Sequence, residues 1–142
     1  MKKVDQIIVD RGRGDCFRAC VVSIMELDIN SVPNFIEQEL NWFQYFWDFL
    51  NEKGYEYMGC GFPVSDDKPK GHVLSETINI DGYVIGTVNS RTFDDITHSV
   101  VIDLNGKVVH DPNPNKLWQD VNVLESGDLI HWMMIGVEEK NE

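Results

Sequence analysis

The sequence predicts an α+β fold, with N-terminal helices packed on a C-terminal antiparallel β-sheet. Three observations predict it. Apolar residues recur at helical spacing through the first third of the chain. Alternating and β-branched runs fill the second half. Asn105-Gly106 stands between two such runs, a strong short-range signal for a hairpin. Helices first and strands second favour segregated layers over alternating βαβ units.

Residues 4–14 read as an extended lead-in, broken by Gly12 and Gly14. Cys16 to about Leu27 reads as helix, because Phe17, Cys20, Val21, Ile24 and Leu27 fall on one face. Asp15 is the expected N-cap. A second helix is expected from about Pro33 to Lys53. Ile36, Leu40, Phe43, Trp47 and Leu50 set its rhythm, Trp42, Phe46 and Phe49 widen its apolar face, and Gly54 stops it. Residues 58–72 are rich in Gly, Pro and charge and read as a loop. Strands are expected at Tyr83–Val88, His98–Leu104, Lys107–Asp111 and Leu129–Val137.

With 142 residues, 42% of them hydrophobic, the chain is read as a single domain, 1–142, with a real core. Its net charge of −12 argues against nucleic acid or an anionic membrane as partner. The first 18 residues carry five basic side chains against three acidic ones, so the start of the chain is locally basic. Three cysteines make an odd count that suits a reducing compartment. No signal-peptide pattern or membrane span is read, so a cytoplasmic protein is expected.

Cys16 follows Gly14-Asp15 where the helical pattern begins. A thiol at a helix N-terminus meets unpaired N–H groups and the positive end of the dipole, which favour a thiolate. His98 lies on one strand of the expected hairpin, and His110 and Asp111 lie on the other. A cysteine, a histidine and a carboxylate are the parts of a cysteine hydrolase.

Strand parity chooses between the hairpin candidates. A two-residue Asn105-Gly106 loop opposes Leu104 to Lys107 and Val100 to Asp111. His98, Val100 and Ile102 then share a face with Val109 and Asp111, and His110 faces the other way. A bulge, or a loop with an odd residue count, reverses that choice. The expected triad is therefore Cys16 as nucleophile, His98 as base and Asp111 as orienter. The oxyanion needs donors. One is the backbone N–H of Cys16, and Gln6 is the only Asn or Gln ahead of Cys16.

The run Gly14-Asp15-Cys16-Phe17-Arg18-Ala19-Cys20, the step Val32-Pro33-Asn34-Phe35, and His98-Ser99-Val100-Val101 with Val109-His110-Asp111-Pro112-Asn113-Pro114 resemble papain-like cysteine peptidases. The look is closest to the compact branch related to the bacteriocin (double-glycine leader) processing peptidases. The resemblance spans roughly residues 4–137. It implies a papain-like fold, a thioester intermediate, Gln6 as the oxyanion residue, and Cys16, His98 and Asp111 as the triad. The ten-residue step from Gln6 to Cys16 is longer than in the leader peptidases. The Asp15-Cys16 pair is also similar to the cell-wall peptidase branch, where a second histidine often stands third and His110 takes the place of Asp111.

No cofactor or metal is expected, because the Cys16/Cys20 spacing is not a structural-zinc pattern. The expected partner is a peptide, protein or small amide substrate. The alternative is a non-catalytic binding or inhibitory protein on the same fold, to which an acidic surface and an aromatic helix are suited. Cys20 is read as a core residue, His72 and His131 as surface or packing residues, and Trp118 and Trp132 as core.

Overall fold

The structure is a computed structural model that describes residues 1–9, 14–35, 41–61 and 83–137. Expectations placed on Gly12, Ile36, Leu40, residues 62–72 and His72 lie outside the described residues.

The described chain is an α+β fold. Helix α1 spans Cys16–Met25 and helix α2 spans Trp42–Glu52, with a 3-10 turn at Ile29–Ser31 between them. Five strands follow: β1 Tyr55–Gly61, β2 Val84–Asn89, β3 Thr97–Ile102, β4 Val108–His110 and β5 His131–Val137. They form one sheet in the order β1-β5-β2-β3-β4, with every neighbouring pair antiparallel. Among the described residues, no helix is long and apolar enough to cross a membrane.

The alternation of side chains gives the sheet two apolar faces. On one face Ile85, Val101, Met133 and Ile135 pack with Phe17, Val21 and Val22 of α1 and Phe46, Phe49 and Leu50 of α2. On the other, Val84, Val88, Val100, Ile102 and Met134 meet Trp118, Val123, Leu124 and Leu129 of the 111–130 segment. Trp118 and Trp132 are both buried, as expected of core residues.

Three expectations are corrected. Residues 58–61 are strand and not loop, because β1 runs Tyr55–Gly61 and pairs with β5 through a bulge between Tyr57 and Gly59. A Cβ on Gly61 would lie 2.8 Å from the Trp132 ring, so that glycine admits a packed indole; it does not mark a turn. Helix α2 begins at Trp42, since Pro33 and Asn34 are non-helical. Gly54, at φ 79°, follows the helix as expected. Asp15 occupies the N-cap position, but its side chain makes no capping bond.

The hairpin reaches the expected pairing by a different route. Asp103 and Lys107 pair through Asp103 N–H to the Lys107 carbonyl at 3.0 Å, so the loop holds three residues, Leu104, Asn105 and Gly106. Asp103 Oδ1 also accepts from Asn105 N–H and Lys107 N–H. Ile102 opposes Val108, while Val101 opposes His110. Val109 is therefore the extra residue of a bulge. The odd loop and the bulge each reverse parity, so together they cancel. Beyond the bulge, Asp111 returns to the His98 side.

Candidate active site

Cys16 is the first residue of α1, where the N–H groups have no intrahelical acceptor. The first helical bond runs from Ala19 N–H to the Asp15 carbonyl. Strand β3 passes the helix start, and Ser99 N–H donates to Cys16 Sγ at 3.4 Å. His98, the preceding residue, is buried and pairs through Nε2 with Asp111 Oδ1 at 2.7 Å. With Nε2 engaged, Nδ1 is the nitrogen left for Cys16, which lines the same cavity and interacts with the ring. The structure thus brings Cys16, His98 and Asp111 together in one chain of contacts.

Asp111 is 1% exposed and fully engaged. Oδ1 accepts from His98 Nε2 and from Asn113 N–H at 3.0 Å, and Oδ2 accepts from Trp118 N–H at 2.9 Å. Such a cradle fixes the carboxylate and, through it, the imidazole plane.

The charges follow from these contacts. Burial pushes the Cys16 thiol up, but the His98 hydrogen bond and charge and the Ser99 N–H outweigh it, and the thiol titrates below its ordinary value. Burial opposes the His98 imidazolium, but Asp111 and Cys16 lift it from 6.5 to about 9. Burial likewise opposes the Asp111 carboxylate, yet His98 and the Trp118 and Asn113 N–H groups hold it below its ordinary value. All three directions favour a thiolate–imidazolium–carboxylate array near neutral pH.

Gln6 is buried in the wall of a cavity of about 220 Å³ that also includes Cys16, His98, Ser99, Thr92 and Asn113. Its Nε2 donates to the Ile8 carbonyl at 2.8 Å, which engages one of two N–H bonds. Its Oε1 is buried without a partner. The lead-in that carries Gln6 is tied down at several points. Gln6 N–H donates to the Pro112 carbonyl at 2.9 Å, and His110 Nε2 meets the Val4 carbonyl at 2.7 Å. Asp15 is fully buried and spends its carboxylate on Ile8 N–H at 2.8 Å, Ile7 N–H at 3.3 Å and Arg18 Nη2 at 2.6 Å.

His110 stands apart from the triad, on the side that parity assigned it. A carbonyl only accepts, so Nε2 of His110 carries the hydrogen toward Val4. Burial lowers its pKa, which keeps the ring neutral. Arg18 spends its charge on Asp15, so the basic character of the chain start is partly consumed internally. Cys20 is wholly buried, and burial raises its thiol well above the ordinary value. Cys60 is exposed on β1, at the opposite sheet edge from β4. Among the described residues, no three His, Cys, Asp or Glu side chains gather to hold a metal.

Sequence reasoning missed Ser99, Asn113, Trp118 and Gln119 as contributors. Three of the four act through backbone N–H groups, which leave no signature in residue type. In comparisons with known proteins, the chain matches no family model, curated protein or solved structure.

Proposed function

We propose that this chain is a papain-like cysteine hydrolase that opens an amide bond through a thioester. One observation carries the reading. Asp111 holds Nε2 of His98 at 2.7 Å, and Cys16 at the start of α1 shares the other side of that imidazole. The order of helix-borne cysteine, strand-borne histidine and hairpin-borne carboxylate supports the papain-like fold.

The chemistry follows from the array. The Cys16 thiolate attacks the scissile carbonyl carbon and forms a C–S bond, and the carbonyl π electrons move to oxygen. The oxyanion is met by the Cys16 N–H at the helix start and by the second N–H of Gln6 Nε2. Collapse breaks the C–N bond, and His98 Nδ1–H protonates the departing amine. The product is a thioester on Cys16. His98, now neutral, takes a proton from water as that water attacks the thioester. Collapse breaks the C–S bond and releases the acid and the Cys16 thiolate, the proton from water stays on His98, and the ion pair is restored. Asp111 keeps Nε2 protonated throughout.

An iodoacetamide-type activity probe with mass-spectrometric readout tests this. Cys16 is expected to label faster than the exposed Cys60, with Cys20 unlabelled, and His98→Ala slows Cys16 alone. Labelling of Cys16 no faster than Cys60, or indifference to His98→Ala, overturns the proposal.

A second reading has its own observation. Phe43, Tyr45 and Trp47 are exposed on α2, and the Phe43 and Trp47 rings lie against Tyr57. That patch suits a protein contact. A binding protein keeps its biological effect as Cys16→Ala, whereas a hydrolase loses it.

A further inference from the structure

We propose that Gln119 is the positioning residue for the triad carboxylate. The inference rests on the hydrolase reading and adds to it the device that sets where Asp111 stands.

Strand β4 is an edge strand and ends at His110, so Asp111 lies just past the last sheet partner. An edge leaves N–H and C=O groups without strand partners. Gln119 supplies both partners with one side chain. Its Oε1 accepts from Asp111 N–H at 3.0 Å, and its Nε2 donates to the Val109 carbonyl at 3.0 Å. A primary amide carries the same donor and acceptor as a backbone peptide. Gln119 therefore continues the ladder by one position, across the bulged residue and the triad residue together.

The neighbours complete the clamp. Trp118 N–H reaches Asp111 Oδ2, so residues 118 and 119 grip the side chain and the main chain of Asp111 from one turn. Lys116 Nζ donates to the Asp111 carbonyl at 2.7 Å and also pairs with Asp5 of the lead-in. Val109 is the bulge residue, and the bulge returns Asp111 to the His98 side. An amide that bonds Val109 and Asp111 together holds that bulge in place. Loss of the amide frees the backbone on both sides of it, and the Oδ1–Nε2 contact loosens.

The experiment compares wild type, Gln119→Met and Asp111→Asn. Met keeps the length of the side chain and removes both hydrogen bonds. The readout is the alkylation rate of Cys16 by iodoacetate across pH, with thermal midpoints measured alongside. Iodoacetate is an anion, so its rate falls as the His98 imidazolium deprotonates. The groups facing His98 are Cys16 from α1 and Asp111 from beyond β4. Gln119→Met is expected to move the upper limb of the profile down by about one pH unit, a tenfold change in the proton equilibrium. In the double variant with Asp111→Asn, the limb is expected where Asp111→Asn alone puts it, because Gln119 acts through Asp111. Gln119→Ala removes the same two hydrogen bonds with a smaller side chain and is expected to move the limb down in the same way; it is the variant to use if Gln119→Met does not fold. A lower thermal midpoint with an unmoved limb in Gln119→Met, or additive limb shifts in the double variant, overturns the inference. Should Gln119→Met not fold, a Gln119→Ala limb that stays where the wild type has it overturns it. A wild-type profile in which Cys16 reacts as an ordinary thiol overturns the hydrolase reading itself, and so the two failures are distinct.

Discussion

Replacing Asp111 with Asn isolates what the carboxylate does for His98. The side chain keeps its shape and one acceptor, and it loses its charge. In the wild type the imidazolium is held from 6.5 up to about 9. That interval corresponds to about 3 kcal/mol in favour of the charged ring. Asp111 and Cys16 share it against the opposing cost of burial, and the Asp111 hydrogen bond is the largest favourable part. A hydrogen bond to a charged group contributes about 1.5–3 kcal/mol. The expected His98 value in Asp111→Asn is therefore roughly 7–8. The substitution has a second cost. If Asn turns its oxygen to His98, its NH2 faces the Trp118 N–H that Oδ2 now accepts. Two donors then meet in a buried site, at about 1–3 kcal/mol of stability. Long-range proton–nitrogen NMR of the His98 ring follows the titration directly, and chemical denaturation follows the stability. A His98 value that stays near 9 in Asp111→Asn would refute the reasoning.

Other outcomes are expected. Asp15→Asn breaks a buried ion pair with Arg18 and weakens the grip on Ile7 and Ile8, at a cost of about 3–5 kcal/mol in denaturant unfolding. Gly106→Ala places a Cβ 2.6 Å from the Leu124 side chain at a φ of 92°, and a lowered thermal midpoint reports a loss of about 1–3 kcal/mol. Asp111 has its folded pKa below the unfolded 3.8, so its contribution is present above 3.8 and lost as pH falls through the folded value. The stability gap between wild type and Asp111→Asn accordingly narrows below about pH 4 in pH-resolved denaturation.

Periodicity made much of this fold legible. Helix α1 appears where Phe17, Cys20, Val21 and Ile24 share a face, and four of the five strands fall on alternating or β-branched runs. Strand β1 escaped because Gly59 and Gly61 look like turn residues. Its pairing with β5 and the close approach of Trp132 to Gly61 are tertiary facts that no local window contains. Asp15 was legible as a helix-start residue, but its carboxylate serves Ile7, Ile8 and Arg18, and local capping rules do not see that lead-in.

The site was legible through parity, though by a cancellation. A three-residue loop alone sends Asp111 to the wrong face, and a bulge alone does the same. The Asn-Gly signal marked the turn, while its length was decided by Asp103 accepting from Asn105 and Lys107 and by Gly106 at positive φ. Gln119, Trp118 and Asn113 carried no signal because each bonds to backbone, or through its own backbone, in an irregular segment.

The central claim is the thiolate–imidazolium pair of Cys16 and His98. Its most direct test is the ultraviolet difference titration at the thiolate band, wild type minus Cys16→Ser. Thiolate absorbance from Cys16 is expected already at neutral pH, with the thiol titrating below the ordinary 9.0. Absorbance that appears only as pH rises through 9 would contradict it.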